Sequence, residues 1–507
     1  METLIDDALR ARLEAIRDTE TLAFDERIPK SKEWLRQARE VMPNGVPMSW
    51  MVSFWRHSPI VAASGAGSMF TDLDGNRYRD FNLCDLAMAA GFAPEPIVSA
   101  IADQAALGNH FLLPTTDALD VSVLLRERFG LPRWQYTLSA SGANVDAMRL
   151  ARAFTQRSKV LVFEAKYHGL FVEMLFSGGA PDALGLSSRA GDDIRGIPFN
   201  DIPALATALE AGDVAAVLLE PVMTNCGLVM PQPGFHEALR SLTQQHGSLL
   251  IVDETHTQFA VYGGGTRDFA LTPDMVTGGK GIGGGVPIGV FGMTAQLSDF
   301  LAAHVEGDFA TKQGVATGGT LYANALSLAA AKAGLSQVFT PEAYARVDAL
   351  GASLQEGLQA LVDKTGLGFT IDRWGGRCEW RLTTQAPVTG YDGYGSVNEA
   401  FADARKAFYV NRGIWDAIPT SGPAISFAAS HADVVVYLEE WLSADGLAHR
   451  VASPNFRGLL NLLELAAEPP MLEFREIART RGLEYVASVR RADAIADAAA
   501  DPQRLPA

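Results

Sequence analysis

Apolar residues at Ile5, Leu9, Leu13 and Ile16 recur at the spacing of one helix face, so the pattern predicts an amphipathic helix over residues 3–20. A second helix is expected around Lys32–Val41, stopped by Met-Pro-Asn-Gly. The run SMFTDLDGNRYRD places Asp74-Gly75 between two short strand-like segments, a hairpin signal. From Pro132 to Thr294, short apolar runs alternate with helix-length segments: WQYTLSAS then Ala143–Phe154, KVLVFEA, VAAVLLEPV then Gly234–His246, SLLIVDE, DMVTGG and VPIGVFGMT. Such alternation predicts a mostly parallel α/β sheet. Helical segments at Ala325–Val338 and Pro341–Val362, a strand AISFAAS and a helix at His431–Leu442 then suggest a smaller α+β domain. Helical patterning returns in the last stretch, including Val486, Val489, Ala492 and Ala496. The expected organisation is a helical extension and joining segment (1–67), a large domain (68–324), a small domain (325–445) and a helical C-terminal extension (446–507).

Composition narrows the function. The 507 residues carry 42 Lys and Arg against 59 Asp and Glu, a formal charge of −17 with no basic run, which argues against nucleic acid as a partner. Cys84, Cys226 and Cys378 lie far apart and form neither a disulfide framework nor a metal knuckle. The N-terminus has Asp6, Asp7 and Glu14 where a signal peptide needs a basic and then an apolar segment, and no apolar run reaches the roughly 18 residues of a membrane span. A cytoplasmic location, with no membrane partner, is the expectation.

Three segments carry candidate chemistry. In GGKGIGGGVPIG, Lys280 sits in a glycine cluster after a strand-like run. The formal GxGxxG match is followed by a strand where a dinucleotide fingerprint needs a helix, and GK is followed by Gly281 rather than Ser or Thr, against a phosphate loop. A lysine nucleophile approached closely by a bulky ligand, or a solvated surface turn, remains. In SLLIVDETHT, Asp253-Glu254 ends an apolar strand, which fits a catalytic acid pair, a partner for a cationic ring, or a metal site with His256. No second His/Cys cluster supports the metal, and none is expected. In SASGANVDAMRLARAF, a strand, a Ser141-Gly142-Ala143 turn and a helix leave free N–H groups suited to a phosphate.

Taken in order, SGA, YHG, EPVMTN, VDE, GGK and GGT fall at strand ends of one sheet, and here the chain resembles the class III aminotransferases. These are fold-type I pyridoxal-phosphate enzymes with a seven-stranded, mostly parallel large-domain sheet. The likeness runs from about Trp34 to Leu442 and is greatest to the branch of glutamate-1-semialdehyde aminomutases and β-amino-acid transaminases. It implies that Lys280 forms the Schiff base with pyridoxal 5'-phosphate and shuttles the substrate proton, that Asp253 binds the pyridine nitrogen, and that Tyr167 stacks on the ring. It further implies cofactor contacts from Ser141, Gly142, Ala143, His168, Glu220, Thr255 and Asn225, the last to the ring hydroxyl. Thr320 would reach the phosphate across a homodimer interface, so that the active sites are shared.

Two departures bear on phosphate and substrate. Relatives read SGTEA or SGSEA where this chain has Ser141-Gly142-Ala143-Asn144-Val145, so a hydroxyl and an acidic residue are missing there. Thr255 stands where an aliphatic residue packs on the ring. The arginine that relatives use for a substrate carboxylate is absent, because no basic residue occurs from Val41 to Trp55, while Trp50, Met51 and Trp55 offer apolar surface. The expectation is a transaminase taking an amine or amino compound with a bulky apolar part and a keto acid or aldehyde acceptor. The second expectation is an intramolecular aminomutase; the alternative to an apolar pocket is that Arg56, Arg373 or Arg377 swings in to replace the missing arginine, since a keto-acid acceptor still needs a carboxylate partner.

Overall fold

The computed structural model describes residues 7–442, except 56, 178–179, 182–183, 188, 190, 305–313, 366–367 and 419, together with 474–476 and 479–481. Its centre is a seven-stranded sheet in the order Arg133–Thr137, Gly289–Met293, Met275–Gly278, Leu249–Asp253, Val214–Leu219, Lys159–Phe163 and Ile194–Ile197. Gly289–Met293 runs antiparallel to both its neighbours, and the other pairs are parallel. Val214–Leu219 is buried at every position, as expected of a strand covered on both faces. One cover is the helix Ala140–Thr155, whose small residues Ala143, Ala147 and Ala151 share a core with Val160, Ile251 and Phe291. The alternation read from the sequence is therefore an α/β sheet. Its short edge strand Ile194–Ile197 carried no signal in the pattern.

The N-terminal helix is longer than its pattern suggested, Asp7–Arg27, and Leu13 packs against Ala400 and Ala404 of the helix Glu399–Val410. The second helix spans Pro29–Ala38, starting earlier because Pro29 takes the first-turn position where its missing N–H is harmless. The expected hairpin forms from Met69–Asp72 and Arg77–Asp80, with Gly75 at φ 93° in the turn. Ile414–Trp415 extends this small sheet in parallel with Arg79–Asp80.

Two expectations are corrected. AISFAAS is not a strand: its amides turn to three separate partners, Ala424 N to Phe81 O, Ile425 N to Gly376 O and Phe427 N to Ala89 O, so no ladder runs along it. The C-terminal extension contains an antiparallel pair, Phe474–Glu476 with Arg479–Arg481, where helix was expected. The remainder of that extension, with Val486, Val489, Ala492 and Ala496, lies outside the described residues. No described helix is long and apolar enough to cross a membrane.

Candidate active site

Carboxyl ends of the parallel strands converge on a cavity of about 280 Å³, where an open α/β sheet places its ligands. Asp253 closes one strand and Glu220 follows another, while Lys280 follows the strand Met275–Gly278 and Ser139 the strand Arg133–Thr137. All four line the cavity, together with Trp50, Asp85, Ser141, Tyr167, His168, Thr255 and His256.

Asp253 is buried and accepts four hydrogen bonds. Asn144 Nδ2 at 2.8 Å and His168 Nδ1 at 2.9 Å reach one oxygen; Thr255 N at 3.0 Å and Thr255 Oγ1 at 2.5 Å reach the other. Burial alone would push its carboxyl up, but the bonds from His168, Thr255 and Asn144 outweigh it and hold the group below the usual carboxylate range. Asn144 is itself fixed: its Nδ2 also donates to His168 O at 2.8 Å and its Oδ1 accepts from Thr277 Oγ1 at 2.6 Å. The position where relatives carry an acidic residue thus holds a neutral amide that orients the buried carboxylate.

Lys280 has φ 53° and opens a one-turn helix, Lys280–Gly283, so its side chain leaves the strand end abruptly. Nζ lies 2.5 Å from Asp85 Oδ2, 2.9 Å from Asp85 O and 2.6 Å from His256 Nε2. Asp85 is delivered by a left-handed turn in which Leu83, Cys84, Asp85 and Leu86 all have φ between 48° and 68°. Such backbone costs about 1–2 kcal/mol per non-glycine residue, and strain of this kind collects at functional sites. Burial opposes ionisation of Asp85, yet the charge of Lys280 holds it well below the carboxylate range.

At the helix start, Ser139 is the cap: its Oγ accepts from Gly142 N at 3.2 Å and its carbonyl from Ala143 N at 3.0 Å. The two backbone donors expected at a phosphate, Gly142 and Ala143, are therefore engaged within the helix, and Ser139, Ala140 and Ser141 face the cavity instead. Gly169 must be glycine here, since a Cβ would meet Ser141 Oγ at 2.1 Å. Tyr167 stands beside Trp50 with ring centroids 5.8 Å apart, and burial pushes its phenol up to about 12.

Other expected residues fall elsewhere. Asn225 does not line the cavity; its Nδ2 is 3.3 Å from His256 Nδ1. Met51 is 44% exposed, and Trp55 packs against Trp415 with ring centroids 4.1 Å apart and Lys406 over its ring, and neither lines the cavity. Thr320, expected to reach a phosphate across a dimer interface, is exposed and does not line this chain's own cavity. Of the arginines considered for a carboxylate, Arg56 lies outside the described residues and Arg373 pairs with Asp348. Arg377 is buried, donating to Thr224 O at 2.7 Å and Ser421 O at 2.6 Å. Nothing local in the sequence marks Asp85, Asn144 or Thr224 for these roles. His256 reads from the sequence only as a metal ligand.

The residues present fit pyridoxal phosphate. Two buried polar atoms in the cavity wall, Glu220 Oε1 and His168 Nε2, have no partner among the described residues, and the wall also offers an amine, a low-lying carboxylate, an aromatic face and a helix start with two hydroxyls. Comparison with known proteins agrees. A family model, aminotransferase class-III, matches residues 53–401. A glutamate-1-semialdehyde 2,1-aminomutase of Brevibacillus brevis is 34% identical over 376 residues, 72% of this chain and 85% of that protein. The crystal structure of a glutamate-1-semialdehyde-aminomutase from Pseudomonas aeruginosa PAO1 in complex with PMP superposes with TM-score 0.80 at 35% identity, covering 89% of this chain and 99% of that one. A β-phenylalanine aminotransferase from Variovorax paradoxus follows with TM-score 0.76 at 26% identity, over 84% and 96% of the two chains. From the match along most of its length and the cavity it encloses, this chain belongs to the class-III aminotransferases, fold-type I enzymes whose cofactor is pyridoxal phosphate.

Proposed function

We propose that the enzyme moves an amino group from an amine with a bulky apolar part to a keto acid or aldehyde. The observation that carries this reading is the wall of the cavity: Trp50, Leu138, Val286 and Ile288 line it with three carboxylates, and none of the described residues lining it is an arginine. Among the described residues a substrate carboxylate finds no bidentate partner there, whereas an apolar group gains about 25 cal/mol per Å² buried. When bound, pyridoxal phosphate supplies an aldehyde for the amine and a ring that takes up the electrons left by the departing substrate proton. Asp253 would hold the proton on the ring nitrogen, and Tyr167 would cover the ring. Ser139 and Ser141 would meet the phosphate at the helix start. Lys280 Nζ would carry the substrate proton, within reach of Asp85 and His256.

A panel of amine donors tests the reading, followed by the change in cofactor absorbance on half-reaction. Hydrophobic amines are expected to give the highest kcat/KM, and Trp50→Ala to lower it about tenfold for them, equivalent to 1.4 kcal/mol of lost contact. Preference for glutamate 1-semialdehyde would overturn the apolar reading. It would support a second one, intramolecular transfer, which the names of the relatives favour and for which Arg377, whose Nη1 has no partner among the described residues, is a candidate arginine.

We also read the chain as half of a homodimer. Phe111, Leu112, Leu113 and Leu321 are exposed on two segments joined by the bond Leu326 N to Asn109 O, an apolar surface beside the exposed Thr320. Sedimentation is expected to give twice the chain mass, and an active species of one chain mass would reject the dimer.

A further inference from the structure

The amine of Lys280 meets a hydrogen-bonded chain whose direction can be deduced. His256 is buried; Nε2 lies 2.6 Å from Lys280 Nζ and Nδ1 lies 2.9 Å from Thr224 Oγ1. The hydroxyl of Thr224 has a single hydrogen, and the carboxylate oxygen Glu220 Oε2 takes it at 2.5 Å while also accepting from Thr224 N at 3.1 Å. Thr224 Oγ1 must then accept from His256 Nδ1–H. That assigns the tautomer and leaves the lone pair of Nε2 facing Lys280. The Asn225 amide, 3.3 Å from the same Nδ1, turns its oxygen to the ring in this arrangement.

We propose that His256 is the immediate acceptor of the Lys280 proton, oriented by Thr224 and Glu220, with Asp85 stabilising the charge on either side of the transfer. The inference rests on reading Lys280 as the amine that captures a carbonyl carbon. In the step, one Nζ–H bond of the ammonium breaks and an Nε2–H bond forms, and the electron pair left on Nζ becomes the nucleophile. The imidazolium so formed lies 3.7 Å from Asp85 Oδ2, so the trio carries the same net charge before and after. No charge is added to a buried site, which is the costly alternative.

The charged groups facing His256 are Lys280, Asp85 and Arg377, with Glu220 behind Thr224; Tyr167 faces Asp85. Burial, and then the like charge of Lys280, keep the imidazole below its ordinary value and hence neutral at pH 7. Once the proton moves, the repulsion from Lys280 is gone and Asp85 favours the imidazolium.

The experiment is the stopped-flow rate at which cofactor-free protein captures pyridoxal phosphate, read by absorbance against pH, with equilibrium affinity measured separately. His256→Gln is expected to slow capture at pH 7 about 100-fold with affinity changed only a few-fold, the slowing to lessen as pH rises, and imidazole to restore the rate in His256→Ala. Thr224→Val keeps the imidazole but releases its tautomer, and is expected to slow capture about tenfold. Capture rates in His256→Gln or Thr224→Val within threefold of the parent would overturn the relay, as would a loss that imidazole does not rescue. Borohydride trapping in the parent separates the two levels: cofactor fixed on a residue other than Lys280 rejects the lysine reading, whereas cofactor on Lys280 with an unaltered His256→Gln rate rejects only the relay.

Discussion

Lys280→Ala is expected to lower amino transfer by on the order of 10⁴-fold and to leave no site for borohydride to fix pyridoxal phosphate. No neighbouring lysine among the described residues stands ready to substitute. Lys166, also buried, donates to Met174 O at 2.7 Å and Phe176 O at 2.9 Å, and Lys406 reaches Phe54 O under Trp55. The substitution has a second consequence, because it strips Asp85 of the cation that holds its carboxylate charged. Burial then favours the neutral acid, so the variant's deficit in Tm relative to the parent should widen as pH rises above the carboxylate range. Peptide mapping after borohydride reduction checks the first expectation and melting curves at pH 5 and pH 8 the second. Cofactor fixed elsewhere with activity retained would remove Lys280 from the chemistry.

How far the site was legible depends on whether a residue's role is set locally. Asp253 and Lys280 stood out because each breaks its surroundings, a carboxylate at the end of an apolar strand and a lysine among glycines. Asp85 did not, since in the run NLCDLAM an acid looks like an ordinary turn residue; its meaning comes from a left-handed turn that carries it to Lys280, 195 positions away in sequence. Asn144 likewise reads as a lost acid until the helix Ala140–Thr155 brings it to Asp253. The aromatic run at Trp50–Trp55 was half legible: Trp50 lines the cavity, but Trp55 found a better partner in Trp415. Long buried strands announced themselves, whereas AISFAAS shows that an apolar stretch buried among three different segments imitates a strand in composition alone.

Asp253→Asn is expected to separate holding the cofactor from using it. Turnover should fall about 10²–10³-fold, because a preorganised buried charge is removed from the ring nitrogen, while borohydride still fixes pyridoxal phosphate on Lys280. The amide also fits the site poorly in both orientations. With its nitrogen in place of Oδ1 it confronts the Thr255 N–H; in place of Oδ2 it confronts Asn144 Nδ2, which cannot flip without losing the bonds to His168 O and Thr277 Oγ1. Leaving such a buried donor unpaired costs about 1–3 kcal/mol, so Tm should drop as well. The pH dependence follows from the depressed carboxyl of Asp253. A group with a lowered folded value contributes stability that is complete above the unfolded value of about 3.9 and is lost as pH falls through the folded one. The gap between parent and Asp253→Asn should therefore be full at pH 7 and close only in acid below pH 4. Melting curves over that range, with kcat and cofactor affinity at pH 7, are the measurements. Equal losses in affinity and turnover would show the carboxylate holding the cofactor in place rather than sustaining its chemistry.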